Sequence, residues 1–117
     1  MKQEEKDLLL KDLCARLSYE LKISVNDKVE KVDGVNVLDN TIEYGSWLSS
    51  EVEEVKPYLF PLSSMTEEQL LELSSISFEN SIDSSIKTLN WCYKNHFDIY
   101  NLIPMGLAID ATGKNIY

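Results

Sequence analysis

The sequence predicts an α+β domain: one helix at the start, a small antiparallel sheet in the middle and two further helices with an ordered tail. Three observations carry that prediction. Apolar residues recur at helical spacing over residues 4–17, the pattern changes to alternation from Leu21 onward, and a helix-start signature stands at Thr66. With 117 residues and 44% hydrophobic side chains, the chain is long enough to bury a core and is read as one domain spanning 1–117.

Residues 4–17 place Leu9, Leu10, Leu13, Cys14 and Leu17 on one face, with Lys6, Asp7, Lys11, Asp12 and Arg16 around the rest of the cylinder. The stretch 20–55 then reads as a β-meander. Leu21, Ile23 and Val25 alternate with Lys22 and Ser24, and Asn26–Asp27 supplies a turn. Lys28 to Val32 is expected as a second strand, with Asp33–Gly34 as a hairpin turn before Val35 to Leu38. A turn at Asp39–Asn40, a strand from Thr41 to Tyr44, a break at Gly45–Ser46 and an edge strand from Glu51 to Val55 complete the expectation. Such a meander makes a small SH3-like half-barrel or an open sheet.

Pro57 to Leu62, with two prolines, reads as an extended apolar connector. The helical half occupies 66–117. Thr66 is placed as an N-cap with Gln69 closing a capping box, Glu67 and Glu68 favour the positive helix end, and Met65 and Leu70 form a hydrophobic staple. The helix weakens at Ser74–Ser75. Residues 76–81 form a serine-containing connector, and a last helix from Ile82 to Asn95 presents Ile82, Ile86, Leu89 and Tyr93, widened by Trp91 and Cys92. From Phe97 the tail is irregular but too apolar to hang free.

The net charge of −9 is concentrated in the middle: residues 17–62 hold nine acids against four lysines, and 63–86 hold five acids and no base. A chain so acidic is repelled by phosphate, which disfavours direct nucleic-acid binding. The acidity serves solubility, or it docks on a basic partner or imitates nucleic acid. No apolar run reaches the roughly 18 residues of a membrane span, and the first residues lack the apolar stretch and cleavage site of a signal peptide. The expected location is the cytoplasm, where Cys14 and Cys92 are expected as buried, reduced thiols.

His96 is the only histidine. Cys92 lies one helical turn before it and Asp98 just after, so a thiol-based hydrolase or nuclease accessory is one reading. An apolar setting, however, raises a thiol pKa and deactivates it. Zinc needs at least three protein ligands, and Cys14 would have to come from the first helix. The expectation is no metal, no cofactor, and a satisfied, partly buried His96 at a helix end. Ala108 to Asn115 fails as a phosphate loop because its first glycine and final hydroxyl are missing. Glu51, Glu53 and Glu54 lack a calcium-loop pattern and read as a solvated edge that discourages strand pairing. The aromatics divide between core and groove, the groove being placed at the sheet aromatics and the Pro57–Pro61 connector.

Lys11 to Leu17, Val55 to Thr66, and His96-Phe97-Asp98 followed by Leu102-Ile103 and Gly106-Leu107-Ala108 together resemble a family of small proteins of gut Bacteroides-type bacteria and their prophages and mobile elements. The likeness runs in order over nearly the whole chain, and residues 18–54 and 74–90 diverge most. That family has no assigned activity and no established catalytic residues. The resemblance therefore implies a habitat, bacterial cytoplasm and phage-linked genes, and transfers no site.

The functional expectation is a non-enzymatic module that binds a protein through the acidic middle or the Val55–Thr66 connector, with Tyr44, Trp47, Glu51, Glu53, Glu54, Tyr58 and Phe60 as candidate contacts. The alternatives are an acidic mimic that inhibits a DNA-binding protein, which needs its acids on one face, and the Cys92–His96–Asp98 accessory, which needs those side chains accessible and together.

Overall fold

The computed structural model describes residues 1–76 and 82–117. Helix α1 (Gln3–Arg16) leads through a 3-10 turn into strands β1 (Lys22–Val25), β2 (Lys28–Asn36), β3 (Thr41–Tyr44) and β4 (Leu48–Glu51). Strand β5 (Lys56–Leu59), helices α2 (Glu67–Ile76) and α3 (Ile82–Lys94), and the two-residue strand β6 (Ile109–Asp110) follow. The fold is α+β. Its six strands run β4-β3-β2-β1-β5-β6, antiparallel throughout except for the parallel β5–β6 pair.

The first meander turn forms as expected: Asn26 and Asp27 both take positive φ, the requirement of a two-residue hairpin matching the strand twist. Asp33–Gly34 does not turn. It lies inside the nine-residue β2, where neither residue has positive φ and the register with β3 shifts by one between Val32 and Gly34. Val32 and Val35, three apart, cannot both face the core in regular alternation. The extra residue, Asp33, restores that and points to solvent. The chain reverses instead at residues 37–40, so the expected strand from Val35 to Leu38 ends at Asn36. The Asn36 side chain accepts the Leu38 and Asp39 amides at 3.1 Å and donates to Asp39 at 3.0 Å.

Two further expectations are corrected. The edge strand is Leu48–Glu51, not Glu51–Val55, because Val52 and Val55 turn inward to full burial around a 3-10 turn at Val52–Glu54. The proline-bounded connector is in part a sheet strand, since Pro57 stands opposite Ile23 near the start of β5 and Tyr58 and Leu59 pair with β6.

The main core joins Leu9, Leu10 and Leu13 of α1 to the inward residues of the sheet and to Leu102, Leu107 and Ala108 of the tail. Each leucine, isoleucine or valine among them contributes about 1.5–3 kcal/mol on full burial. A second cluster gathers Trp91, Cys92 and Phe97, with Phe60, Met65 and Leu73 against it. The tail is therefore core, as its composition implied.

Helix α2 starts on the expected capping box: the Gln69 amide donates to Thr66 Oγ1 at 3.2 Å and the Thr66 amide to Gln69 Oε1 at 2.9 Å. Leu70, the inner half of the expected staple, is half exposed, and α2 continues past Ser74–Ser75 to Ile76. Residues 77–81 of the expected connector lie outside the described residues. In α3 the buried face is Ser84, Trp91, Cys92 and Tyr93, whereas Ile82, Ile86 and Leu89 are exposed.

Two α1 residues read as solvent-facing, Asp12 and Arg16, are fully buried as a two-pronged ion pair with both contacts at 2.9 Å. Arg16 also donates to the Phe97 carbonyl and lies over the Tyr93 ring at 5.1 Å. Asp12 meets the buried charge, and Nε and Nη2 together with the Tyr93 ring tie α1 to α3 and the tail. Burial still lifts the Asp12 carboxyl above its ordinary range, although Arg16 pulls it down. Cys14, expected to be buried, is exposed, since it sits one position beyond the apolar face.

Candidate functional site

The β2 bulge and the β3–β4 turn together build a cleft. Asp33, pushed outward by the bulge, accepts the Ser46 amide at 2.8 Å and pins the turn. Gly45 and Ser46 take the two positive-φ positions of that turn (+58° and +69°), which thrusts the next residue, Trp47, outward. The Trp47 side chain is 99% exposed. Asp33, Glu43, Ser46, Trp47, Leu48 and Ser49 line a cleft of about 520 Å³. The two strands approach closely at the bulge: a Cβ on Gly34 would stand 2.9 Å from a Glu43 carboxylate oxygen, so a side chain there would push that carboxylate aside.

The electrostatics are one-sided. Glu30 reaches the same turn from the other face of the sheet, where it stands opposite buried Ile23, since a Cβ on Gly45 would lie 3.2 Å from its Oε2. Among the described residues, ion pairs join Lys6 to Glu53, Lys31 to Glu20, Lys87 to Asp83 and Arg16 to Asp12, and none neutralises Glu30, Asp33, Glu43 or Glu51. An aromatic face beside unpaired carboxylates attracts a cation: the ring quadrupole and the carboxylates act in the same direction.

The seven residues singled out from the sequence fall in separate places. Trp47 lies in the cleft, and Glu51 is exposed on β4. Tyr44 is buried, its hydroxyl 2.8 Å from Ser50 Oγ. Glu53 is paired with Lys6 at 2.9 Å, and Glu54 is exposed in the Val52–Glu54 turn. Tyr58 and Phe60 belong to β5 and the residue after it, four strand positions from β4. There Phe60 packs against Phe97 and Tyr117 beside a smaller cleft of about 240 Å³ reaching Ser64, Thr66 and Gly113. Sequence reading missed Asp33 and Glu43. Alternation along Thr41–Tyr44 put Glu43 outward, but the mistaken turn at Asp33–Gly34 hid their neighbourhood.

Cys92, His96 and Asp98 are all buried and form no hydrogen bond to one another. The Asp98 carboxylate is taken by the Leu102 and Ile103 amides at 2.9 and 3.0 Å, where it closes the turn that seats Leu102. The Cys92 thiol is pushed up by burial, with Arg16 opposing. The imidazole of His96 is stacked on the Tyr117 ring, 3.7 Å between centroids, and burial followed by repulsion from Arg16 lowers its pKa to about 4. It is not fully satisfied: His96 Nδ1 has no partner among the described residues, and neither do Arg16 Nη1 and Trp91 Nε1. Among the described residues no group of three or more His, Cys, Asp or Glu side chains could hold a metal ion, and no helix is long and apolar enough to cross a membrane.

These features define an α+β domain with an aromatic, acid-rimmed cleft at one end of its sheet. Compared with protein-family models, curated proteins and solved structures, the chain matches none.

Proposed function

We propose that the chain is a non-enzymatic binding module whose cleft receives a lysine or arginine side chain of a protein partner. The observation that carries this reading is Trp47, a fully exposed indole on a turn pinned by the Asp33–Ser46 hydrogen bond, beside the carboxylates of Asp33 and Glu43, which no ion pair among the described residues neutralises. An aromatic presented so openly buries a large area on binding at little entropic cost, the profile of an interface anchor. The bacterial cytoplasm and phage-linked genes implied by the resemblance belong to the same proposal and supply a setting for it.

The reading is preferred to nucleic-acid mimicry because the acids do not share one face: Glu43 and Glu51 lie on the outer face of the sheet, whereas Glu30 stands opposite buried Ile23 on the other. Glu30, Asp33, Glu43 and Glu51 are on the sheet, Glu53 and Glu54 on the following turn, and Glu67, Glu68 and Glu72 on α2. It is preferred to a thiol hydrolase because Asp98 is occupied by backbone amides and Cys92 is shifted away from its reactive form.

The test is a fluorescence titration with a blocked nine-residue peptide of alternating arginine and threonine. Trp47 reports the event, since Trp91 is buried against Phe97. Binding is expected to shift the wild-type emission and to weaken with salt. Calorimetric titration of the same peptide, which needs no indole reporter, is expected to show at least fivefold weaker binding in Trp47→Ala, as a cation–π contact of about 1 kcal/mol implies. Binding of equal strength by Trp47→Ala, or none by the wild type at millimolar peptide, would sink the reading.

A further inference from the structure

Next to the cleft the sheet ends in an open edge. Strand β4 pairs with β3 alone, in the register Thr41↔Glu51 to Tyr44↔Leu48. The Val52 amide donates to the Asn40 carbonyl at 2.9 Å, one step beyond Glu51 in the same register. Antiparallel ladders alternate hydrogen-bonded and non-bonded pairs, so Ser50 and Leu48 point their backbone groups toward β3. Ser49 and Glu51 therefore aim theirs away from the sheet. Among the described residues neither amide has another partner, which leaves two donors and the Ser49 carbonyl in a row, the Glu51 carbonyl being the cap of the Val52–Glu54 turn. The side chains of Ser49 and Glu51 share the outer face with Glu43, the cleft side, while Leu48 and Ser50 share the face of buried Ile42 and Tyr44.

Exposed edges are ordinarily blocked by lysine, proline, a bulge on the edge strand itself or a covering element. The sequence Leu48-Ser49-Ser50-Glu51 has none of these. Its deterrents are its shortness and Glu51, together with Glu43 one strand in. That charge repels an acidic strand and a second copy of this chain, whose net charge is −9, and it attracts a basic one. The edge is short, so backbone pairing alone is weak and a side-chain anchor is needed beside it. Trp47, immediately before β4, stands where such an anchor would act.

We infer that β4 accepts an extended basic segment of a partner protein as an added strand, paired to the backbone of Ser49 and Glu51, with one cationic side chain of the segment over Trp47. This rests on the cleft reading above and adds the mode of recognition.

The experiment is amide hydrogen exchange followed by NMR on the whole chain, with and without the arginine–threonine peptide, alongside Ser49→Pro. Saturating peptide is expected to slow the Ser49 and Glu51 amides at least tenfold and leave those of β1 unchanged. Ser49→Pro removes an outward donor without breaking a bond to β3, so it is expected to stay folded and to bind at least tenfold more weakly. If the peptide shifts Trp47 emission while both amides exchange at their free rates, strand addition is overturned and the cleft reading survives. If the peptide leaves Trp47 emission unchanged, both fall together. Slow exchange of these amides in the free protein, deepening with protein concentration, would show a second copy on the edge and overturn the inference.

Discussion

His96 shows how one buried side chain links the tail to stability. It holds a left-handed backbone conformation at the end of α3 (φ +61°), its carbonyl accepts the Phe60 amide at 2.8 Å, and Tyr117 covers its ring. Tyr117 in turn donates its hydroxyl to the Tyr58 carbonyl at 2.8 Å and accepts the Lys22 amide at 3.0 Å, so the stack spans β1 and β5. With the folded pKa depressed to about 4, the native state prefers neutral imidazole, whereas the unfolded chain takes up a proton near 6.5. Stability is therefore full above about pH 6.5, falls as pH drops toward 4, and levels off below. A shift of this size corresponds to about 3 kcal/mol in all, of which about 2 kcal/mol is lost by pH 5. The check is a set of urea unfolding curves at pH 7.5 and 5 for wild type and His96→Asn, a replacement that tolerates positive φ. The wild type should lose about 2 kcal/mol more than the variant over that interval. Parallel losses would mean that the histidine is hydrated in solution.

At the scale of elements, two glycines on either side of the cleft should behave differently. Gly34 has no positive φ, and the atom an added Cβ would meet is the mobile end of the Glu43 side chain. Gly34→Ala is therefore expected to keep stability within about 1 kcal/mol while it displaces the carboxylate that lines the cleft. Gly45 has φ +58°, and its Cβ would meet both Glu30 and Leu48. Gly45→Ala should destabilise by about 1–2 kcal/mol. Thermal unfolding of the two variants separates a site lesion from a folding lesion, and equal losses would refute the bulge geometry. The same region shows why part of the fold was legible and part was not. The capping box at Thr66, the alternation in β1 and the helical spacing of α1 are local signals, and each element formed where its signal stood. The bulge at Asp33 is set by the need of Val32 and Val35 to face one core, a demand that arises only when β3 is alongside. Asp12 and Arg16 look polar by composition, and their burial depends on the Phe97 carbonyl and Tyr93 ring, some 80 residues away in sequence. The exposure of Ile82, Ile86 and Leu89 is equally non-local: α3 is turned by Trp91, whose larger surface stacks on Phe97 of the tail and takes Cys92 inward beside it. Trp47 was legible as a candidate contact, but its partners Asp33 and Glu43 were not, because they depend on register.

For the whole molecule the governing quantity is excess negative charge, 20 acids against 11 bases. The Arg16–Asp12 pair is fully buried and scarcely screened by salt, whereas Lys31–Glu20 and Lys87–Asp83 are largely exposed and contribute a few tenths of a kcal/mol each at most. Many carboxylates have no cation beside them, so their mutual repulsion opposes folding and outweighs those few pairs. Raising sodium chloride from 20 mM to 0.5 M shortens the Debye length from about 20 Å to about 4 Å. That should stabilise the fold by about 1 kcal/mol, or roughly 4 °C in melting midpoint. The same salt should weaken the arginine–threonine peptide, since its attraction to Asp33, Glu43 and Glu51 is screened by the same ions. Stability and affinity are thus expected to move in opposite directions along one salt series, read by melting curves and by Trp47 fluorescence. A melting midpoint that falls with salt would show that surface pairs outweigh the repulsion. A peptide affinity indifferent to salt would mean that the indole binds without help from the carboxylates around it.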